Sequence, residues 1–205
     1  MRKGLLAVGH RPVIVGIGGT TRNGSSSEKA LMVSLMAAEE AGADTVHICG
    51  PALNLPMYAP EKLERSDEAR GFLASLRKCE GVIIASPSYH GSISGLIKNA
   101  LDYIEDLSGD ERVYLDGCPV GLIACAAGWQ GAGQTLTALR SIAHALRGWP
   151  TPLGAMLNTS GRPFDENGGC LDLSAKFQLE SVGRQVVHFA QMKQNSVSDR
   201  PVATA

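Results

Sequence analysis

With 205 residues, 44% of them apolar, the chain is long enough to bury one sizeable core and reads as a single domain. Nineteen Lys and Arg against twenty Asp and Glu leave a formal net charge of −1, so composition offers no basic surface for nucleic acid. The five cysteines, Cys49, Cys79, Cys118, Cys125 and Cys170, form no C-x-x-C pair; this argues against a disulfide framework or zinc ribbon and for a reducing cytoplasm.

The first residues, MRKGLLAVGHRP, start basic, but Gly9, His10 and Arg11 break the apolar run, leaving it too short for a secretory core. No stretch approaches the roughly 18 apolar residues of a membrane span. PVIVGIGG (Pro12 to Gly19) is the first predicted strand, a short apolar run bounded by Pro and Gly, as suits a strand buried on both faces of a parallel sheet. The helix after it carries the stripe Ala30, Leu31, Leu35 and Ala38. DTVHICG (Asp44 to Gly50) is the second strand, read like the first as buried on both faces, and Glu61 to Lys78 follows with a weaker helical pattern. GVIIASP (Gly81 to Pro87) is the third strand, and the stripe Leu96, Ile97, Ala100, Leu101 and Ile104 marks the next helix. CPVGLIACAAG (Cys118 to Gly128) is the fourth strand, followed by the stripe Leu136, Leu139, Ile142, Ala143 and Leu146. TPLGAMLN (Thr151 to Asn158) and the helical segment Leu171 to Gln191 complete the set. Five β-α units in succession predict a doubly wound α/β sandwich with right-handed crossovers. Residues 1–191 form its one domain, and the polar stretch 192–205 reads as a mobile tail.

Ligands of such a sheet sit beyond the carboxyl ends of the strands, where the strand order reverses. The first of these loops, GTTRNGSS (Gly19 to Ser26), has the glycine spacing of a P-loop, but Ser25 stands where the lysine belongs. The strand ends IIASP and IACAAG carry no aspartate for Mg²⁺, so NTP hydrolysis is disfavoured. A dinucleotide fingerprint starting at Gly16 has Thr21 in place of its third glycine, and HICG supplies no ribose-binding acid. What remains is a cluster of anion-binding groups, Thr20, Thr21, Arg22, Ser25, Ser26 and Ser27, at a helix N-terminus, suited to a terminal monophosphate held without metal. A capping box between Ser25 and Glu28 accounts for part of the pattern only. The second loop, SPSYHGSISGLIKNALDY (Ser86 to Tyr103), is built of small residues that let a flat ligand lie close to the backbone, with Tyr89 or His90 able to cover a ring.

Together these loops resemble the NADPH-dependent FMN reductase family of flavodoxin-like proteins. GTTRNGSSS (Gly19 to Ser27) is similar to that family's phosphate loop, G-S-x-R-x-x-S-x-N. The Ser86 to Tyr103 segment is similar to its P-x-Y-x-G-S-x-x-G-x-L-K-N-x-x-D motif, and Ala126 to Pro150 to its glycine-rich turn and following helix. The resemblance implies a five-stranded parallel sheet of order 2-1-3-4-5 with helices on both faces. It further implies that Thr20, Arg22, Ser25 and Ser27 hold the FMN phosphate, that Pro87, Ser88, Tyr89, His90, Gly91 and Ser92 flank the isoalloxazine, and that Gly128 closes the far side. Ser27 replaces the usual asparagine, and Ser88 and His90 stand where the family often has Glu and Asn.

The activity implied is hydride transfer from NADPH or NADH to flavin N5, then onward to a second acceptor such as free flavin, a quinone or an azo compound. A flavin-dependent monooxygenase is a conceivable recipient of reduced flavin, and a homodimer or homotetramer is expected. No catalytic acid or base is required; His90 is a candidate proton donor or a plain loop histidine. Trp129 reads equally as a stacking residue or a subunit contact, and Lys98 with Asp102 as a helix-surface ion pair. The alternative, a flavodoxin-like electron carrier without its own NAD(P)H activity, fits less well with near-neutral charge and 5% aromatic residues.

Overall fold

The computed structural model describes residues 10–198, with side chains to residue 196; the basic N-terminal start and the last part of the tail, 199–205, lie outside the described residues. Strand β1 (Val13–Gly18) leads to helix α1 (Ser26–Glu40), β2 (Asp44–Cys49), α2 (Asp67–Lys78) and β3 (Gly81–Tyr89). The short β4 (Ser92–Ile93), α3 (Gly95–Asp102), β5 (Pro119–Ala126), α4 (Trp129–Ala145), β6 (Trp149–Pro150), β7 (Ala155–Asn158) and α5 (Leu173–Ser198) follow. The main ladder runs β2-β1-β3-β5, with β6 and β7 both paired to β5. All these pairings are parallel. Counted as one interrupted edge strand, β6 and β7 give the expected doubly wound order.

The period of two along buried strands sorts side chains into two cores. Val15, Ile17, Val82, Ile84, Val120 and Leu122 face α2, α3 and α4, meeting Phe72, Leu76, Ile97, Leu101 and Leu139. Ile14, Ile83, Ala85, Ile123 and Ala155 face α1 and α5, meeting Leu31, Leu35, Leu179 and Val186. Each fully buried Leu or Ile contributes about 2 kcal/mol of transfer free energy. The α1–α5 crossing is unusually close: a Cβ at Gly183 would collide with the Ser34 carbonyl oxygen. The Ser34 hydroxyl donates to Leu179 O at 2.8 Å across the same crossing.

Four details depart from the sequence reading. The helix expected from Glu61 starts at Asp67, because Ser66 caps it by accepting from Ala69 N at 3.2 Å. Residues ahead of it are held open by Arg65, which donates to Asp106 at 2.6 and 2.8 Å. The fifth strand is split: Thr151 N still reaches Val120 O at 3.0 Å, but Pro152 has no N–H, and Leu153 N turns to Gln185 Oε1 at 3.1 Å. Strand β2 is an edge strand, half exposed, rather than buried on both faces. Finally, α5 continues past Gln191 to Ser198, into the stretch read as tail.

Candidate functional site at the carboxyl edge of the sheet

Neighbouring strands bring the predicted loops to one end of the molecule. Gly18 pairs with Ala85, and Pro87 with Cys125, so the loops after β1, β3 and β5 leave the sheet about 10 Å apart across two strand spacings. Thr20, Arg22, Ser25 and Ser27 from the first loop thus stand beside Pro87 to Ser92 from the second and Gly128 from the third.

Ser25 is the N-cap of α1: with ψ at 155°, its Oγ accepts from Glu28 N at 3.3 Å. The caps of Glu28 and Lys29 leave the Ser26 and Ser27 N–H groups without intrahelical acceptors, at the positive end of the helix dipole. The buried hydroxyls of Ser25 and Ser27 lie 3.3 Å apart. Thr20 Oγ1 accepts from Arg22 N at 3.1 Å, closing a small turn, while the Arg22 side chain stands exposed. The capping box expected from Ser25 and Glu28 is only half formed. The Glu28 carboxylate accepts from Gly24 N at 2.7 Å, one residue before the cap, where the chain turns at φ 70°.

The second loop is a tight hairpin. Ser88 pairs with Ile93 and Tyr89 with Ser92, antiparallel, leaving His90 and Gly91 as the two turn residues at φ 53° and 82°. Two positive φ values define a type I′ turn, which suits Gly and tolerates His and Asn in its left-handed positions. This is the physical role of the His90 position, and it weakens the reading of His90 as a proton donor. A Cβ on Gly91 would lie 2.6 Å from Gln134 Oε1. At the base of the hairpin, buried Ser86 Oγ accepts from Ser94 N at 3.1 Å and donates to Pro87 O at 2.8 Å. Ser88 Oγ donates to Gly131 O at 3.2 Å, joining the second loop to α4. Tyr89 remains 54% exposed.

Gly128 is the extended N-cap of α4 with open space where a Cβ would stand, and Trp129 beside it is 58% exposed. Sequence reasoning missed the loop after β7. Thr159 Oγ1 donates to Ala126 O at 3.1 Å and Ser160 Oγ to Ala127 O at 2.7 Å, fixing the third loop from the neighbouring strand. The Asn158-Thr159-Ser160 run closing the last strand was the available signal. It also missed Asn99, which anchors the 55–58 segment by donating to Pro56 O at 3.0 Å and accepting from Tyr58 N at 2.8 Å. Lys98 and Asp102 form the expected surface pair at 2.5 Å.

A second cluster borders the first loop. Cys49 Sγ donates to Glu28 Oε1 at 3.0 Å and lies 3.7 Å from His47 Nδ1. Burial and the Glu28 carboxylate push the Cys49 thiol up to about 12. Desolvation lowers His47, with Glu28 pulling the other way. A cavity of about 740 Å³ lies between α1 and residues 165–170 and meets the carboxyl-edge loops only at Gly24 and Glu28. At the carboxyl-edge loops themselves, Tyr89 and Trp129 stand exposed.

Comparison with known proteins gives this edge a family context. The sequence model of NADPH-dependent FMN reductases matches residues 12–161. An NADPH azoreductase of Bacillus sp. (strain OY1-2) is 39% identical over 95 residues, 46% of this chain and 48% of that protein. The match thus spans about half the length of that relative. An NAD(P)H-dependent FMN reductase of Pseudomonas aeruginosa is 27% identical over 169 residues, 80% of this chain and 86% of that one. Among solved structures, a flavoenzyme NAD(P)H:(acceptor) oxidoreductase from Paracoccus denitrificans superimposes with a TM-score of 0.73, covering 89% of this chain and 98% of that one. At 18% identity, that likeness speaks for the fold alone.

Proposed function

Because the chain belongs to the NADPH-dependent FMN reductase family, we propose that it binds FMN and works as an NAD(P)H-dependent oxidoreductase delivering reducing equivalents to a small-molecule acceptor. The observation that carries this reading is a hydroxyl- and N–H-rich loop on the dipole-positive end of α1, without the lysine of an NTPase, next to a type I′ hairpin. The donor set fits a terminal monophosphate: buried Ser25 and Ser27 hydroxyls, two first-turn N–H groups and the exposed Arg22 guanidinium all present protons. Thr20 contributes by shaping the turn. Bound FMN supplies hydride uptake from the nicotinamide and its onward transfer.

The remaining work falls to the chain. Ser86, by tying Ser94 N to the end of β3, steadies the Pro87 to Ser92 hairpin, which would flank the isoalloxazine. Gly128, without a side chain, leaves room on the other side, and Thr159 with Ser160 keeps that loop still. No side chain is assigned proton transfer. A flat acceptor, azo compound, quinone or free flavin, stacks against the exposed rings of Tyr89 and Trp129, the azo class being favoured by the azoreductase relative. A second copy of the chain, in a homodimer or homotetramer, covers these exposed aromatics. Reduced free flavin, where it is the acceptor, passes to a flavin-dependent monooxygenase. Free thiols at all five cysteines accord with a cytoplasmic setting.

The test is direct. The purified protein should carry or take up a yellow chromophore identified as FMN after release, and anaerobic NADPH or NADH should bleach it. A colourless protein that takes up no FMN overturns the reading. FMN that neither nucleotide reduces would instead mark an electron carrier.

A further inference from the structure

We propose that Glu28, His47 and Cys49 form a binding site for one borderline divalent cation of the Zn²⁺ class, beside the first loop. The period of two along β2 puts His47 and Cys49 on the same face, where their register partners on β1 are Gly16 and Gly18. With no β1 side chain between, the first turn of α1 brings Glu28 down onto them. One ligand atom from each of the three lies within 4.8 Å of the other two.

The spacing matches tetrahedral coordination. Bonds of about 2.3 Å to sulfur and 2.0–2.2 Å to nitrogen and oxygen give ligand–ligand edges of roughly 3.5 Å. The sulfur–nitrogen edge is 3.7 Å and the sulfur–oxygen edge 3.0 Å, so closure needs the carboxylate and thiol to part by about half an ångström. The carboxylate is already oriented from behind: Glu28 Oε2 accepts from Gly24 N at 2.7 Å, leaving Oε1 to face the thiol. Such outer hydrogen bonds are what ligating carboxylates use to hold their angle.

Charge favours the same occupant. A thiolate, a carboxylate and a neutral imidazole carry a formal charge of −2, which a divalent cation cancels. The sulfur and imidazole select Zn²⁺ over Mg²⁺ or Ca²⁺, and three protein ligands leave a fourth position open. The buried thiol pair Cys79 and Cys118 is a poor competitor, because the Arg112 guanidinium donates to Cys118 Sγ at 3.2 Å and repels a cation.

The experiment needs no flavin or turnover. The full chain, freed of metal by dialysis against chelator, is titrated with ZnCl₂ and separately with CoCl₂. One Zn²⁺ per chain should bind, and Co²⁺ should give a near-ultraviolet sulfur-to-metal charge-transfer band with the intense visible bands of tetrahedral cobalt. Cys49→Ser should abolish the charge-transfer band. Exposed His47→Ala, which threatens the fold least, should weaken Zn²⁺ binding by about tenfold or more. Absence of stoichiometric Zn²⁺ binding overturns the proposal, as does a cobalt–sulfur band that survives Cys49→Ser or Zn²⁺ affinity unchanged in His47→Ala. FMN binding is scored separately, so either reading can fail without the other.

Discussion

Ser25 carries two duties that two substitutions can separate. Its Oγ caps α1 through Glu28 N at 3.3 Å, and in the proposed complex the same hydroxyl donates to the FMN phosphate. Ser25→Ala removes both. Loss of an N-cap hydroxyl to alanine costs about 1 kcal/mol, which for a domain of this size lowers Tm by about 2–4 °C. Ser25→Gly removes the hydroxyl but keeps most of the cap energy, the loss being only a few tenths of a kcal/mol. The extended N-cap backbone, φ −65° and ψ 155°, is open to glycine. A hydrogen bond to a charged phosphate contributes about 1.5–3 kcal/mol, so both variants should bind FMN about 10- to 150-fold more weakly. The assays are thermal melting of the flavin-free protein and fluorescence titration with FMN. Wild-type FMN affinity in Ser25→Gly would refute the phosphate role, and equal melting temperatures for the two variants would refute the cap.

Arg22→Ala should weaken FMN binding by about 1.5–3 kcal/mol, read by the same titration; unchanged affinity would send Arg22 toward the nicotinamide cofactor's phosphate. The Arg65 hydrogen bonds hold the Asp106 carboxyl below its ordinary value, so the pair's stabilisation is complete above the unfolded carboxylate pKa of about 3.9 and fades as pH falls through the folded value. Asp106→Asn should therefore cost about 2 kcal/mol at neutral pH and flatten the acid limb of a urea-denaturation profile; parallel acid limbs for the two proteins would count against the pair. Buried Thr135 Oγ1 has no hydrogen-bond partner, an arrangement that costs about 1–3 kcal/mol. Thr135→Val should raise stability by about 1 kcal/mol in urea unfolding, and a loss of stability would show that the hydroxyl is satisfied.

The central strands were legible because Ile14, Ile83 and Ile123 on one face and Val15, Val82 and Val120 on the other are all buried, which writes an unbroken apolar run between glycines and prolines. The first loop was legible for a local reason: capping and dipole chemistry act within one helical turn. Glu61 to Arg65 was misread because its composition favours helix, while what holds it open is Arg65 reaching Asp106, 41 residues away. The His90–Gly91 turn left a trace in the sequence, but a two-residue hairpin with histidine in a left-handed position departs from the Asn-Gly pattern that announces such turns. The Glu28, His47 and Cys49 cluster left none. It exists only because α1 folds back over β1 onto the edge strand.

The collision that any side chain at position 183 would suffer gives the α1–α5 pair the character of a clamp. With α5 seated on the backbone of Ser34 and Ser34 bonded to Leu179, α1 has little freedom to slide or tilt. The first loop, rooted in the N-terminus of that helix, is therefore set before any anion arrives, and the ordering cost that a mobile loop would exact from each binding event has already been met in folding. The proposed anion affinity at one end of α1 is in this way underwritten by Gly183 of α5, which seats against α1 at Ser34, two turns further along.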